Sequence, residues 1–418
     1  MWTTGLTRIA KAVGFRCSLF IAVIAAALSI AILVDAQPTQ PERVLLHAAR
    51  LFDGERMRTG VSVLVEGDRV VRVDAREAIA AGDARVLDLA DATLLPGFIE
   101  LHAHMQFRQV SADTVLQHGI TTVRDMGGPV HAPRQEPGKL RLLTSGPILT
   151  VAGGYPAVTM GEEGIASVLS TPEQARQIVR ATVEQGAVVI KVALEPGGES
   201  GAPWNAGHSH HMQAGHSPDS PDSPVSRVEA WPMLSSEILR AIVDEAHRHD
   251  LKVSAHLGDE AGALLALDAG VDEWSHVPCA EISSALVARA VAQQVAIIGT
   301  LDTLSRCAGS MTNASRLVSA GVKLLYGAEV AHPDIPWGID AQELMYMNAA
   351  GMTLEEVLIS ATSRAGEHLQ IPMLGTLVPG APADIIAVRG DIEISLKTLE
   401  YPALVIAGGQ VVLNKFGD

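Results

Sequence analysis

Apolar and polar positions follow two rhythms along this chain. From residue 42 to 95 they alternate in short runs, VLLHAARLFDG, VSVLVEGDRVVRVDA and ARVLDLADATLLPG, broken by tight polar turns. Such runs predict short strands, and EGDR between two alternating stretches predicts a hairpin. The same character returns near the C-terminus in LGTLVPGAPADIIAVRG and ALVIAGGQVVLN. In between, apolar strand runs alternate with helical periodicity. The strand candidates are FIELHAH, TTVRDMG, LRLLTSGPIL, AVVIKVAL, LKVSAHL, DEWSHV, VAIIGTL and VKLLYGAE. Capping chemistry marks the helix starts. Thr171-Pro172-Glu173-Gln174 supplies an N-cap, a proline at the first helical position and a capping-box glutamine. Ser235 or Ser236 opens SEILRAIVDEAHRHD, and Thr353 with Glu356 forms a capping box before VLISAT.

This order predicts an α/β protein. Eight β/α alternations across residues 97–369 fit a (β/α)8 TIM barrel. A doubly wound open sheet is the alternative, but no G-x-G-x-x-G follows a strand to favour it. The two ends, 42–96 and 370–414, are expected to meet as one small composite β-sandwich domain, with the barrel inserted between them. An insertion at residues 200–230 interrupts the pattern after the fourth strand. It is rich in Gly, Ser and Pro and carries His208, His210, His211 and His216. It reads as a flexible surface loop, or as a lid or metal-capture segment over the barrel mouth.

Composition narrows the function. With 418 residues, 48% of them hydrophobic, the chain can bury a large core. A net charge of −16 excludes a basic patch on the scale nucleic acid demands. At the N-terminus Arg8, Lys11 and Arg16 precede the uncharged run CSLFIAVIAAALSIAILV, followed by VDAQ. Residues 1–36 therefore read as a secretory signal cut after Ala36, with an uncleaved membrane anchor as the alternative. Either way the body of the protein is expected outside the cytoplasm, secreted or anchored facing outward. Beyond the signal only Cys279 and Cys307 remain, which allows one disulfide or two free thiols.

The candidate chemistry begins in LLPGFIELHAHMQF, where His102 and His104 share one face of a strand end. Barrel enzymes place their sites at the C-terminal ends of strands, and the other predicted ends supply Lys191, His256, His276 and Glu329. A lysine inside an apolar strand is costly while charged. Burial lowers its pKa, and the neutral amine can take up carbon dioxide as a carbamate, an anion able to bridge two cations.

The ordered pieces LLPGFIELHAH, GITTVRDMGG, GAVVIKVAL, KVSAHL, GVDEWSHV, GVKLLYGAE and LGTLVPGAPADIIAV resemble the amidohydrolase superfamily, especially its imidazolonepropionase-like and prolidase-like members. The resemblance implies a binuclear metal-dependent hydrolase of C–N bonds, acting on small molecules such as dipeptides, N-acyl amino acids or cyclic amides. It implies that His102 and His104 hold a first divalent ion, His256 and His276 a second, and carbamylated Lys191 bridges both, with Zn²⁺ the expected metal. Glu329 stands where relatives carry an aspartate that touches the first metal and shuttles the proton. Two further departures are Glu100, in place of an aspartate, and Tyr155, in place of a histidine. Tyr155 and Arg124 are candidate substrate-binding residues, and Arg108 and Arg306 could also face a substrate carboxylate. The longer acid at 329 leaves a second reading open, a non-catalytic secreted relative that binds metal or ligand.

Overall fold

The computed structural model describes residues 41–161, 164–204 and 230–417, with the side chains of Phe107 and Arg108 excepted. The expected signal segment and most of the 200–230 insertion lie outside the described residues. Arg43–Asp418 cluster as one unit.

Its terminal strands pair as their alternation requires. Arg43–His47 runs antiparallel to Val61–Glu66 and parallel to Arg85–Asp88. Val61–Glu66 turns through Gly67 and Asp68 into Arg69–Ala75, the hairpin that EGDR announces. A second sheet has the order Gln410–Asn414, Leu404–Ala407, Ile385–Val388, Thr93–Pro96, Arg50–Phe52, Met57–Thr59. Ile385–Val388 lies antiparallel to Thr93–Pro96, so strands from both ends of the chain share one sheet. Val44, Leu46 and Val63 of the first sheet pack in one buried cluster with Leu94, Ile385 and Ile406 of the second.

The middle region is a mixed α/β arrangement of parallel strands. Phe98–Ala103, Ile120–Asp125 and Arg141–Thr144 form one sheet. Ala166–Val168, Ile148–Thr150, Ile190–Ala193, Val253–His256, Glu273–Trp274, Ala296–Ile298 and Lys323–Leu325 form another, in that spatial order. Bonds link the two sheets at both junctions. Val188 N–H donates to Thr144 O at 2.9 Å, and Ala103 bridges Val330 in parallel. Strands such as Phe98–Ala103 and Ile120–Asp125 are buried at every position, as expected for parallel strands covered on both faces.

The run LRLLTSGPIL, expected as one strand, is two strands in two sheets. Gly146 turns the chain at φ +72° ahead of Pro147, and neither residue continues a ladder. The helix starts hold. Thr171 caps Pro172–Glu184 by accepting from Gln174 N, Ser235 caps Ser236–Arg248, and Thr353 and Glu356 form a complete capping box before Leu354–Ser360. Gln174 itself accepts from Ser170 N rather than from the cap residue. Cys279 and Cys307 are joined as a disulfide with Cα atoms 4.9 Å apart. Among the described residues no helix is long and apolar enough to cross a membrane.

Candidate active site

The strand ends bring six separated side chains together. His102 and His104 leave Phe98–Ala103 on one face, and their Nε2 atoms lie 3.3 Å apart. Lys191 Nζ sits 3.5 Å from His102 Nε2 and donates to Ser275 Oγ at 2.6 Å. His256 Nδ1 is 2.8 Å from His276 Nε2. Glu329 Oε1 comes within 3.3 Å of His104 Nε2. One donor atom each from His102, His276 and Glu329 falls within a 4.8 Å group. Glu329 reaches this position from a left-handed backbone, φ +66°, a conformation non-glycine residues adopt at a cost. The next residue fixes it: Val330 O accepts from His104 N at 2.8 Å.

The outward nitrogens of these rings define their inward ones. His102 Nδ1 faces the Ser275 carbonyl at 2.9 Å, an oxygen that only accepts, so Nδ1 carries the hydrogen and Nε2 a lone pair. His256 Nε2 lies 3.5 Å from Glu195 Oε2 without a hydrogen bond between them, and its Nδ1 faces His276 Nε2. His276 Nδ1 meets Thr300 Oγ1 at 2.9 Å, an oxygen able to accept. Burial holds His102, His256 and His276 well below the usual imidazole range, so all three are neutral. Buried ring nitrogens that face one another across 2.8 to 3.3 Å suit a cation close to both pairs. The four imidazoles and one carboxylate, with a second nitrogen of His102 held by a carbonyl and one of His276 by a hydroxyl, fit divalent metal.

The charged groups around this centre are tuned by burial. It lowers the Lys191 amine to about 7. It also pushes up Glu329, but the contact with His104 and the neighbouring histidines outweigh it and hold that carboxyl below its ordinary range. Glu195 and Glu199, buried beside one another, are both raised to about 7. Glu100 is raised to about 8 by burial, and its oxygens accept from His102 N at 2.7 Å and Ala328 N at 3.0 Å. It clamps the first strand to the backbone ahead of Glu329.

A cavity of about 330 Å³ opens over the centre, with His104, Lys191, His256 and Glu329 on its floor. Tyr155 lines it as expected and stacks on the His256 ring, centroids 4.4 Å apart. Burial raises its phenol, which therefore stays protonated. Arg124 is not brought there. Its guanidinium is buried in a two-point pair with Glu273, at 2.7 and 3.0 Å, and Nε donates to Leu101 O. The expectation that it binds substrate is corrected, because it is already committed inside the sheet. Arg306 is exposed and does not line the cavity.

Sequence reasoning missed Trp204 and His332, which line the cavity, and Glu195 behind His256. Glu195 was legible: it follows Lys191 by four residues on an extended run and so shares its face. His332 stands three residues after Glu329, in a turn without periodicity.

Parallel strands that deliver imidazoles, an amine and a carboxylate into one cavity define an α/β protein whose buried donors suit a metal ion. The profile of the Amidohydrolase family matches residues 93–412, and the chain belongs to that family. Ochratoxinase from Aspergillus niger is 28% identical over 254 residues, which are 56% of this chain and 47% of the relative. The chain thus spans about half the length of the curated relatives it matches. The crystal structure of A. niger ochratoxinase superposes with a TM-score of 0.70 at 19% identity, covering 91% of this chain and 98% of the other. A putative prolidase from Bifidobacterium longum gives 0.70 at 22%, covering 90% and 95%. A Xaa-Pro dipeptidase with methionine in its active site gives 0.68 at 19%, covering 88% and 99%. At these identities the structures establish a shared fold.

Proposed function

We propose that this chain is an exported, binuclear metal-dependent amidohydrolase that cleaves amide C–N bonds in small molecules such as dipeptides, N-acyl amino acids or cyclic amides. In this reading residues 97–369 close into a (β/α)8 barrel, and 42–96 with 370–414 make a small β-sandwich. The Ala103–Val330 bridge and the Val188–Thr144 bond support closure. The observation that carries the reading is the convergence of His102, His104, Lys191, His256, His276 and Glu329, with ring nitrogens turned inward.

The metal reading assigns two divalent ions, zinc, with His102 and His104 holding one and His256 and His276 the other. As a carbamate, Lys191 would help to hold both. Its neutral Nζ bonds to the carbon of carbon dioxide and releases one proton, and a pKa near 7 makes the neutral amine available. When bound, the ions lower the pKa of a water and polarise the scissile carbonyl. Glu329 takes the proton of the attacking water on its carboxylate and gives it to the departing nitrogen as the C–N bond breaks. The Tyr155 hydroxyl donates to a substrate oxygen.

A second reading, a binder that does not cleave, is favoured by one observation: Glu329 is a methylene longer than aspartate and stands on a left-handed backbone. One experiment separates the two. Purified protein is analysed for metal, then given dipeptides, N-acyl amino acids and cyclic amides while amine release is followed. Metal-dependent release supports the hydrolase. Full metal with no release from any of them rejects it in favour of the binder.

A further inference from the structure

We propose that Ser275 and Ser254, directed by the buried Arg124–Glu273 pair, are positioning residues for the Lys191 carbamate. Their hydroxyls form a one-way hydrogen-bond chain that receives the last N–H of the carbamate nitrogen and so sets where its two oxygens point. This rests on the carbamate reading and adds the residues on which that group depends.

The chain is built by strand register. Lys191 stands opposite Ser254, and Ser254 opposite Glu273, on three neighbouring parallel strands. Ser275 follows Glu273 by two residues and so shares its side of the extended run. Lys191 Nζ lies 2.6 Å from Ser275 Oγ, Ser275 Oγ 2.7 Å from Ser254 Oγ, and Ser254 Oγ 2.5 Å from Glu273 Oε1. Lys191 is 1% exposed and the other three are fully buried, so water does not compete for these hydrogens.

Counting hydrogens fixes the direction. Arg124 donates to both Glu273 oxygens, at 2.7 and 3.0 Å, which keeps that group a carboxylate with no hydrogen to give. The Ser254 hydroxyl therefore donates to Glu273 Oε1. With its one hydrogen used, Ser254 can only accept from Ser275. Ser275, its own hydrogen used in turn, can only accept from Lys191. The carbonyl of the same residue accepts from His102 Nδ1 at 2.9 Å, so Ser275 orients two of the converging side chains at once.

This arrangement suits a carbamate. Among the described residues Ser275 Oγ is the one oxygen that accepts from Nζ, where an ammonium would need three acceptors. When the neutral amine meets carbon dioxide, its lone pair forms the N–C bond, one N–H proton leaves to solvent through the cavity, and one N–H remains. The nitrogen is then planar, as in a peptide, and the direction of that N–H fixes the plane of the two oxygens. Without the Ser275 hydroxyl a buried donor would be left unpaired, which weakens an equilibrium by about 5- to 150-fold.

The test follows the carbamate by carbon-13 NMR in zinc-loaded protein equilibrated with labelled bicarbonate, and zinc affinity by chelator competition. Wild type should show a carbamate signal that Lys191→Ala lacks. Ser275→Ala should weaken that signal and lower zinc affinity by about 5- to 150-fold. Ser254→Ala, which frees the Ser275 hydroxyl to turn its hydrogen toward Nζ, should do the same to a smaller extent. In the Lys191→Ala background, Ser275→Ala should change zinc affinity by less than about twofold, because the N–H is gone and the carbonyl that holds His102 is kept. An equal loss in both backgrounds means that Ser275 serves the fold or the histidines, and overturns the proposal. A carbamate signal at full strength in Ser275→Ala or in Ser254→Ala overturns it as well, and leaves the carbamate reading standing. No carbamate signal in wild type strikes that reading, and this inference with it.

Discussion

Arg124 and Glu273 meet as a two-point ion pair in the interior, 2% and 0% exposed. His368 Nε2 at 2.5 Å completes the contacts on one Glu273 oxygen. Removing one partner of a buried pair strands the other, which typically costs about 3–5 kcal/mol. Glu273→Gln should therefore lower the unfolding free energy read from urea titration at neutral pH by an amount of that order. Glu273 is held below the ordinary carboxylate range, because Arg124 and His368 outweigh the opposing effect of burial. Its contribution is complete above the unfolded carboxylate value of about 4.3 and is lost as pH falls below it. The gap between wild type and variant should shrink from pH 6 toward pH 3.5. A gap that stays constant across that range contradicts the assignment.

Lys191→Ala should lose at least one metal ion, since the two oxygens of the proposed carbamate go with the side chain. Elemental analysis of the purified variant reads this directly, and a carbamate signal from labelled carbon dioxide should appear in wild type and vanish in the variant. Undiminished metal would retire the carbamate and leave the histidines standing.

Glu329 is tested by three substitutions. Glu329→Gln should cut turnover by about 10²–10⁴, the usual worth of a positioned acid–base group. If it matches wild type, the proton shuttle is wrong. Glu329→Asp asks whether the shorter arm does better; activity confined to that variant would mark the natural protein as a binder. Glu329→Gly relieves a left-handed backbone that costs about 1–2 kcal/mol, so it should be inactive yet more stable by about that amount.

The residues that converge in the cavity were legible because burial makes each of them expensive. Two histidines in register, and a lysine, two more histidines and an acid at further strand ends, are poor choices for packing. Arg124 misled for a related reason. Every residue of Ile120–Asp125 is buried, so alternation does not tell a cavity-facing side chain from one facing a partner strand. The partner, Glu273, is 149 residues away. Trp204 sits in a turn, where no period marks it. The split of LRLLTSGPIL was written in Gly146-Pro147, but eight apolar runs invited a count of eight unbroken strands.

The disulfide closes a loop with a separation of 28 residues, for which chain entropy predicts about 3–4 kcal/mol. Reduction, or Cys279→Ser with Cys307→Ser, should lower the unfolding midpoint accordingly. An unchanged midpoint would mean the bond constrains nothing. Export is tested separately: N-terminal sequencing of the extracytoplasmic fraction should begin at Gln37, and intact chain recovered from the cytosol would refute it.

Thr93–Pro96 lies between Arg50–Phe52 and Ile385–Val388. One neighbour is synthesised shortly before it and the other only after the whole middle region. At ribosomal speed that interval is about 15–60 seconds. During it a strand that the finished fold buries at every position has an open hydrogen-bonding edge, which is the geometry that recruits foreign strands. A nascent chain of this topology needs its edge shielded until the last strands emerge, and a product truncated before Ile385 should be insoluble even with every cavity residue present.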